Sequence, residues 1–286
     1  MRPSHIQIVE CPRDAMQGIT PFIPTQLKAQ YLNQLLKVGF HTLDFGSFVS
    51  PKAIPQLADT AEVLDLLDTD ASDTQLLAIV ANKRGAETAV QYPQIKYLGY
   101  PFSISETFQQ RNTKKSIAES LDLVKAMQAL CLANGKELVV YISMAFGNPY
   151  GDPWSPEIAE RWVDEMVKIG VQTIAMADTI GVADPSVISP LFETLIPRFP
   201  NAEIGAHFHS HPDTRQEKLE AAWEAGCRRF DVAMKGFGGC PFAEDELVGN
   251  ISTESLLEFC AHHTLDPRLN NSALQAAMEL SQQVFA

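Results

Sequence analysis

Residues 203–232 read EIGAHFHSHPDTRQEKLEAAWEAGCRRFDV, and they spell a strand, a helix and a second strand in that order. Short apolar runs predict strands at Glu203 to His207 and Arg229 to Val232, with a helix-like segment between them that Gly226 stops. The same alternation extends outward along the chain. Further strand candidates are Ile6 to Glu10, His41 to Phe45, Gln75 to Val80, Ile95 to Tyr100, Glu137 to Ser143 and Thr173 to Met176, each followed by a helix-like segment. The helical period is clearest at Thr25 to Val38, where Leu27, Tyr31, Leu32, Leu35 and Leu36 share a face, and at Lys115 to Ala133. Gly39, Gly135 and Gly170 mark further helix ends. Eight such βα units predict an α/β fold, a closed (β/α)8 TIM barrel, because an open doubly wound sheet usually stops at five or six strands. The expected layout is one domain over residues 1–286, with the barrel at 5–265 and an extra helix at 272–285 that caps the barrel or packs on a partner subunit.

Composition narrows the function. The 286 residues are 45% hydrophobic and 20% charged, which excludes disordered, collagen-like and disulfide-rich classes. With 22 Lys+Arg against 35 Asp+Glu the net charge is −13, a field that repels nucleic acid and anionic membrane surfaces. A local cluster of metal and arginine still admits an anionic small molecule. The five cysteines (Cys11, Cys131, Cys227, Cys240, Cys260) are odd in number and show no CxxC spacing, so neither a disulfide framework nor a structural zinc site is expected. No signal peptide precedes the first strand and no apolar run approaches the roughly 18 residues of a membrane helix, so the chain reads as cytoplasmic. No glycine-rich dinucleotide or phosphate loop opens a helix; neither NAD nor a flavin is expected.

In a barrel of this kind the working residues gather at the C-terminal strand ends. Arg13 and Asp14 follow the first strand, Asp44 ends the second, Asp178 follows the sixth, and His207 and His209 end the seventh. The run Gly236-Phe-Gly-Gly-Cys240-Pro follows the eighth. The i, i+2 spacing of His207 and His209 projects both from one face, and Asp14 arrives from the first strand of the closed barrel. Two imidazoles and a carboxylate make a metal site, and a nitrogen and oxygen set suits Mg²⁺, Mn²⁺, Fe²⁺, Co²⁺ or Zn²⁺ with water in the remaining positions. His211 precedes Pro212 and is assigned to the surface or to outer support. Arg13 beside such a cation is pre-organised for a developing enolate oxygen. The glycines of 236–241 predict a mobile loop with Cys240 at its tip as an acid. Cys131, Cys227 and Cys260 are assigned to packing, and Cys11, beside Arg13 and Asp14, stays open.

Taken together, Pro12-Arg-Asp-Ala-Met-Gln17, Ser47-Phe-Val-Ser-Pro-Lys-Ala-Ile-Pro-Gln56, Asp178-Thr-Ile-Gly-Val182, His207-Phe-His209 and the 236–241 run resemble the 3-hydroxy-3-methylglutaryl-CoA lyases, in the same order over residues 6–262. The resemblance implies a divalent metal, Mg²⁺ or Mn²⁺ before Zn²⁺ or Co²⁺, held by Asp14, His207, His209 and Asn250. It implies Arg13 as enolate stabiliser, Cys240 as proton donor, Asp178 near the reacting hydroxyl, and Asp44, Ser47 and Gln17 around the acyl group. Asn112, in the segment 105–112, and Asn148-Pro-Tyr150 are implied to line the upper barrel and the CoA channel, and the assembly implied is a homodimer. Asp44 stands where the lyases carry glutamate, Ala15 where they carry glycine, and Ser-His-Pro-Asp follows His209 in place of Asp-Thr.

The reaction implied is a metal-assisted retro-Claisen cleavage of the acyl-CoA to acetyl-CoA and acetoacetate, with Asp178 or Asp14 as the base for the 3-hydroxyl. The alternatives are a lyase or aldolase for another 3-hydroxyacyl-CoA, a related condensing enzyme, or a silent acyl-CoA-binding barrel.

Overall fold

Eight parallel strands pair in chain order and the eighth pairs back with the first, so the sheet closes on itself. The structure is a computed structural model that describes residues 5–238 and 248–285. The strands are β1 (Gln7–Glu10), β2 (Thr42–Ser47), β3 (Gln75–Ile79), β4 (Ile95–Ser103), β5 (Glu137–Ser143), β6 (Thr173–Asp178), β7 (Glu203–Phe208) and β8 (Arg229–Val232). Every strand expected from the sequence is present. β2, β4 and β6 run two or three residues further than expected, and those extra residues set which side chains face the barrel mouth.

The helices are α1 (Pro12–Gln17), α2 (Thr25–Leu36), α3 (Thr60–Asp65), α4 (Lys83–Ala89), α5 (Glu106–Thr113), α6 (Ile117–Ala133), α7 (Pro156–Ile169), α8 (Pro185–Arg198), α9 (Arg215–Glu224), α10 (Thr253–His262) and α11 (Asn271–Val284). Their ends follow local chemistry. Ser116 and Glu119 form a reciprocal capping box on α6, which satisfies two orphan N–H groups at its start. Ser155 caps α7 ahead of Pro156, and Gly170 ends that helix at φ 96°, where an L side chain would be strained.

Two apolar cores result. The larger lies between barrel and helices, where Tyr31, Leu32, Leu35 and Leu36 of α2 are buried, each contributing about 1.5–3 kcal/mol. The smaller fills the barrel itself with Leu77, Ile79, Val139, Tyr141 and Ala175. α11 packs on α2 of its own chain: Gln34 Nε2 donates to Ala273 O at 2.9 Å, and the Tyr31 and Phe285 rings meet edge to face. Among the described residues no helix is long and apolar enough to cross a membrane.

Candidate active site

Pro12 occupies the first turn of α1 directly after β1, so Arg13 and Asp14 rise from the strand end into the mouth of the barrel. Arg13 is buried and grips Asp44 with a two-point fork, Nη2 at 2.6 Å and Nε at 3.0 Å from Oδ2. Its Nη1 donates to Asp14 Oδ1 at 2.8 Å and to Gln17 Oε1 at 2.9 Å. One N–H on Nη2 is left uncommitted among the described residues. Burial works against the guanidinium charge, but Asp44 and Asp14 outweigh it and keep Arg13 protonated. Burial alone would raise Asp14; Arg13, with the two histidines, holds it well below the usual carboxylate range. Burial pushes Asp44 up to about 6, and Arg13 restrains it from rising further.

His207 and His209 both face the cleft with Phe208 turned away between them, as strand alternation requires. Asp14, His207 and His209 each place a ligand atom within 4.8 Å of the others. His209 Nδ1 lies 2.8 Å from Thr179 O, a bond in which the ring must donate, so Nε2 carries a lone pair. Among the described residues that buried Nε2 has no hydrogen-bond partner.

Asn250 is brought alongside by an antiparallel bridge to His209, closed by Ser210 N to Gly249 O and Ile251 N to Phe208 O. Its Nδ2 donates to Asp14 Oδ2 at 2.7 Å, while its Oδ1 is buried without a partner. Two orphaned acceptors beside an ionised carboxylate are the donor set a divalent cation satisfies, so the residues fit such an ion. A Cβ at Gly238, whose φ is 105°, would stand 2.5 Å from Asn250 Nδ2 and 3.0 Å from Asp14 Oδ2. This glycine is therefore required by close approach, a different reason from the loop mobility expected of the run. Cys240, the thiol expected at its tip, lies outside the described residues.

The cleft above these groups, about 140 Å³ in volume, mixes polar with apolar walls. Gln17 and Asn112 line it as expected, together with Phe108, Tyr141 and Thr179. Asp152 ties the neighbouring loop to the start of α5 through Ser105 Oγ at 2.5 Å and Thr107 N at 2.9 Å, which sets Phe108 and Asn112 in the wall.

Three expected site residues go elsewhere. β6 continues past Met176, so Ala177 and Thr179 face the cleft and the Asp178 carboxylate turns into the helical layer. There it accepts from Val182 N, Ala183 N and the buried Lys218 Nζ at 2.8 Å, facing away from the cleft where the hydroxyl's base was expected. Ser47 Oγ donates to Ile79 O and accepts from Val49 N, tying β2 to β3 outside the cleft. Asn148 organises its own loop, accepting from Tyr150 N and Asp152 N and donating to Asp152 O. Asp44 stays near the site but beneath Arg13, whose fork it holds. His211 is exposed, and Cys11, Cys131, Cys227 and Cys260 are all buried and free.

Sequence reasoning passed over Asp231 on β8, whose Oδ2 lies 3.3 Å from His207 Nδ1 and outweighs the effect of burial to raise the imidazole's pKa. The signal was present: Arg229 and Asp231 alternate along one short strand, which points two charges into the barrel.

The resemblance to these lyases is borne out by comparison with known proteins: residues 5–282 match the family model described as HMGL-like. The hydroxymethylglutaryl-CoA lyase YngG of Bacillus subtilis is 33% identical over 256 residues, covering 89% of this chain and 85% of that protein. The (R)-citramalyl-CoA lyase of Chloroflexus aurantiacus is 31% identical over 277 residues, covering 94% and 87%. An HMG-CoA lyase structure from Acinetobacter baumannii, in complex with coenzyme A and 3-methylmalate, superposes with a TM-score of 0.90 at 29% identity, covering 99% of this chain and 93% of that one.

Proposed function

Because the chain belongs to the HMGL-like family of lyases, we propose that it cleaves 3-hydroxy-3-methylglutaryl-CoA to acetyl-CoA and acetoacetate with a divalent cation held by Asp14, His207, His209 and Asn250. The observation that carries this reading is the pair of buried, unpartnered acceptors, His209 Nε2 and Asn250 Oδ1, beside Asp14 and next to Arg13. When bound, the cation supplies Lewis acidity toward the 3-hydroxyl and free carboxylate oxygens of the acyl chain.

The chain's own residues and cleft water do the rest. The 3-hydroxyl gives up its proton to water in the cleft, because Asp178 is engaged in the helical layer and Asp14, held well below the usual carboxylate range, is committed to the cation. As that proton leaves, the bond between C2 and C3 breaks and its electron pair passes to the thioester carbonyl as an enolate. Arg13, fixed by Asp44, offers its uncommitted Nη2 N–H to that oxygen, so the donor is aimed before charge develops. Cys240 returns a proton to C2, a role resting on its place in the Gly-Gly-Cys-Pro motif. The apolar wall of Ile79, Tyr141 and Ala177 shields the acyl chain from water. Exposed Lys52, Arg111 and Lys114 adjoin cleft residues in sequence and suit an anionic CoA in a chain of net charge −13.

A second reading follows from the citramalyl-CoA lyase relative, which spans more of the chain than YngG does. Citramalyl-CoA has one methylene fewer between C3 and the carboxylate, a difference that pockets discriminate by about 10–200-fold. Purified chain with Mn²⁺ and each thioester in turn gives the test. A kcat/KM for 3-hydroxy-3-methylglutaryl-CoA at least ~10-fold above that for citramalyl-CoA supports the first reading, and the reverse ratio replaces it with the second.

A further inference from the structure

Beneath the cleft lies a second group of potential ligands, two of which the proposed reaction does not use. Cys11, His207 and Asp231 each place a donor atom within 4.8 Å of the others, and all three are buried. Barrel closure brings them together: Cys11 directly follows β1, Asp231 lies on β8, which pairs with β1, and His207 on β7 is the register partner of Asp231. The Cys11 thiol has a long contact of 3.7 Å to Val9 O. Among the described residues Asp231 Oδ1 has no hydrogen-bond partner although the residue is 2% exposed, and its one charged neighbour is a long ion pair, 3.9 Å from Arg229 Nη2. An orphaned buried carboxylate oxygen is costly, and a cation is one of the few groups that would satisfy it there. Burial, together with Asp231, Asp44 and Asp14, pushes the Cys11 thiol well above its ordinary pKa against the single guanidinium of Arg13, so the thiol keeps its proton until a cation displaces it.

We propose that Cys11, His207 and Asp231 form an inner metal site that takes soft divalent cations of the zinc and cadmium class. Its ligand chemistry separates it from the outer group. A thiolate, an imidazole and a carboxylate converging in a closed space suit a soft, low-coordinate ion, whereas the outer imidazoles and oxygens beside an open cleft suit Mg²⁺ or Mn²⁺. On binding, the Cys11 S–H bond breaks, an S–metal bond forms, and the proton leaves to solvent. His207 is common to both groups, so a soft cation in the inner site competes for a residue that the outer site needs.

The test is a titration of the chelator-treated chain with Cd²⁺ alone, reading the ultraviolet thiolate-to-cadmium charge-transfer band. The wild type gains a saturable band, Cys240→Ala keeps it, and Cys11→Ala and Cys11→Ser lose it; Mg²⁺ gives none. Cys11→Ser preserves shape, so it carries the test if the alanine variant does not fold. A wild type without a band, a band that survives in a folded Cys11 variant, or one lost in Cys240→Ala overturns the site. The readout involves no turnover, so its failure leaves the lyase reading untouched.

Discussion

At the end of β6 the Asp178 carboxylate accepts from two backbone N–H groups and from Lys218, and Lys218 in turn donates to Gly181 O and His209 O. At the end of β1 the Asp14 carboxylate is equally buried, but the groups around it keep unused lone pairs on His209 Nε2 and Asn250 Oδ1. Both clusters are acidic and both stand at C-terminal strand ends. The difference is saturation. Where every donor and acceptor is matched, burial fixes a loop; where valence is left over and faces a cleft, the arrangement is prepared for a ligand.

The largest expected effect sharpens the structural half of this contrast. Asp178→Ala leaves the Lys218 ammonium buried without its counter-ion, at a cost of about 3–5 kcal/mol. Denaturant unfolding should record that loss while Mn²⁺ affinity of the folded protein changes little; a stable variant that no longer binds Mn²⁺ would place Asp178 with the site. Arg13→Met addresses the other half. Turnover should fall by about 10³-fold as the oxyanion donor is lost, while the four proposed ligands keep Mn²⁺ bound. Near-normal kcat in that variant would remove Arg13 from the chemistry. His209→Ala comes next, with Mn²⁺ affinity lowered at least ~10-fold by isothermal titration, since a ligand lost outright should cost no less than a lost supporting partner; unchanged affinity would sink its place among the ligands.

A separate effect, read from pH dependence, concerns Glu10, a buried acid that belongs to neither cluster. Burial pushes its carboxyl up to about 8, against its bonds from Thr253 Oγ1 and Met234 N. The folded chain thus holds a proton that the unfolded chain releases near pH ~4.3. Its contribution to stability is fully present below that value and is lost as pH rises through 8. Glu10→Gln is neutral at every pH, so its Tm should fall less than that of the wild type between about pH 6 and about pH 9; parallel Tm profiles would contradict the shift.

The barrel was legible because strand runs and glycine helix ends are local signals, and all eight strands appear where the alternation put them. The His207 and His209 pair was legible for a similar reason, since a period of two on a strand needs no tertiary knowledge. Asp178 was not: its direction depends on β6 running two residues past Met176, and its partner Lys218 lies 40 residues away. The bonds Ser47 and Asn148 make, to Ile79 O and within the loop at 148–152, were not legible, because they are products of chain path and not of residue type. Asn250 could be assigned only through the resemblance; the backbone bridge that sets it beside His209 leaves no trace in sequence.

The most direct test of the account is the turnover of 3-hydroxy-3-methylglutaryl-CoA by the wild-type chain, with acetyl-CoA and acetoacetate both measured, in Mn²⁺ and in excess chelator. The account predicts equimolar products with Mn²⁺ and a loss of turnover in chelator that added Mn²⁺ reverses. Equal rates with and without chelator, or no cleavage by a chain that binds Mn²⁺, would contradict it.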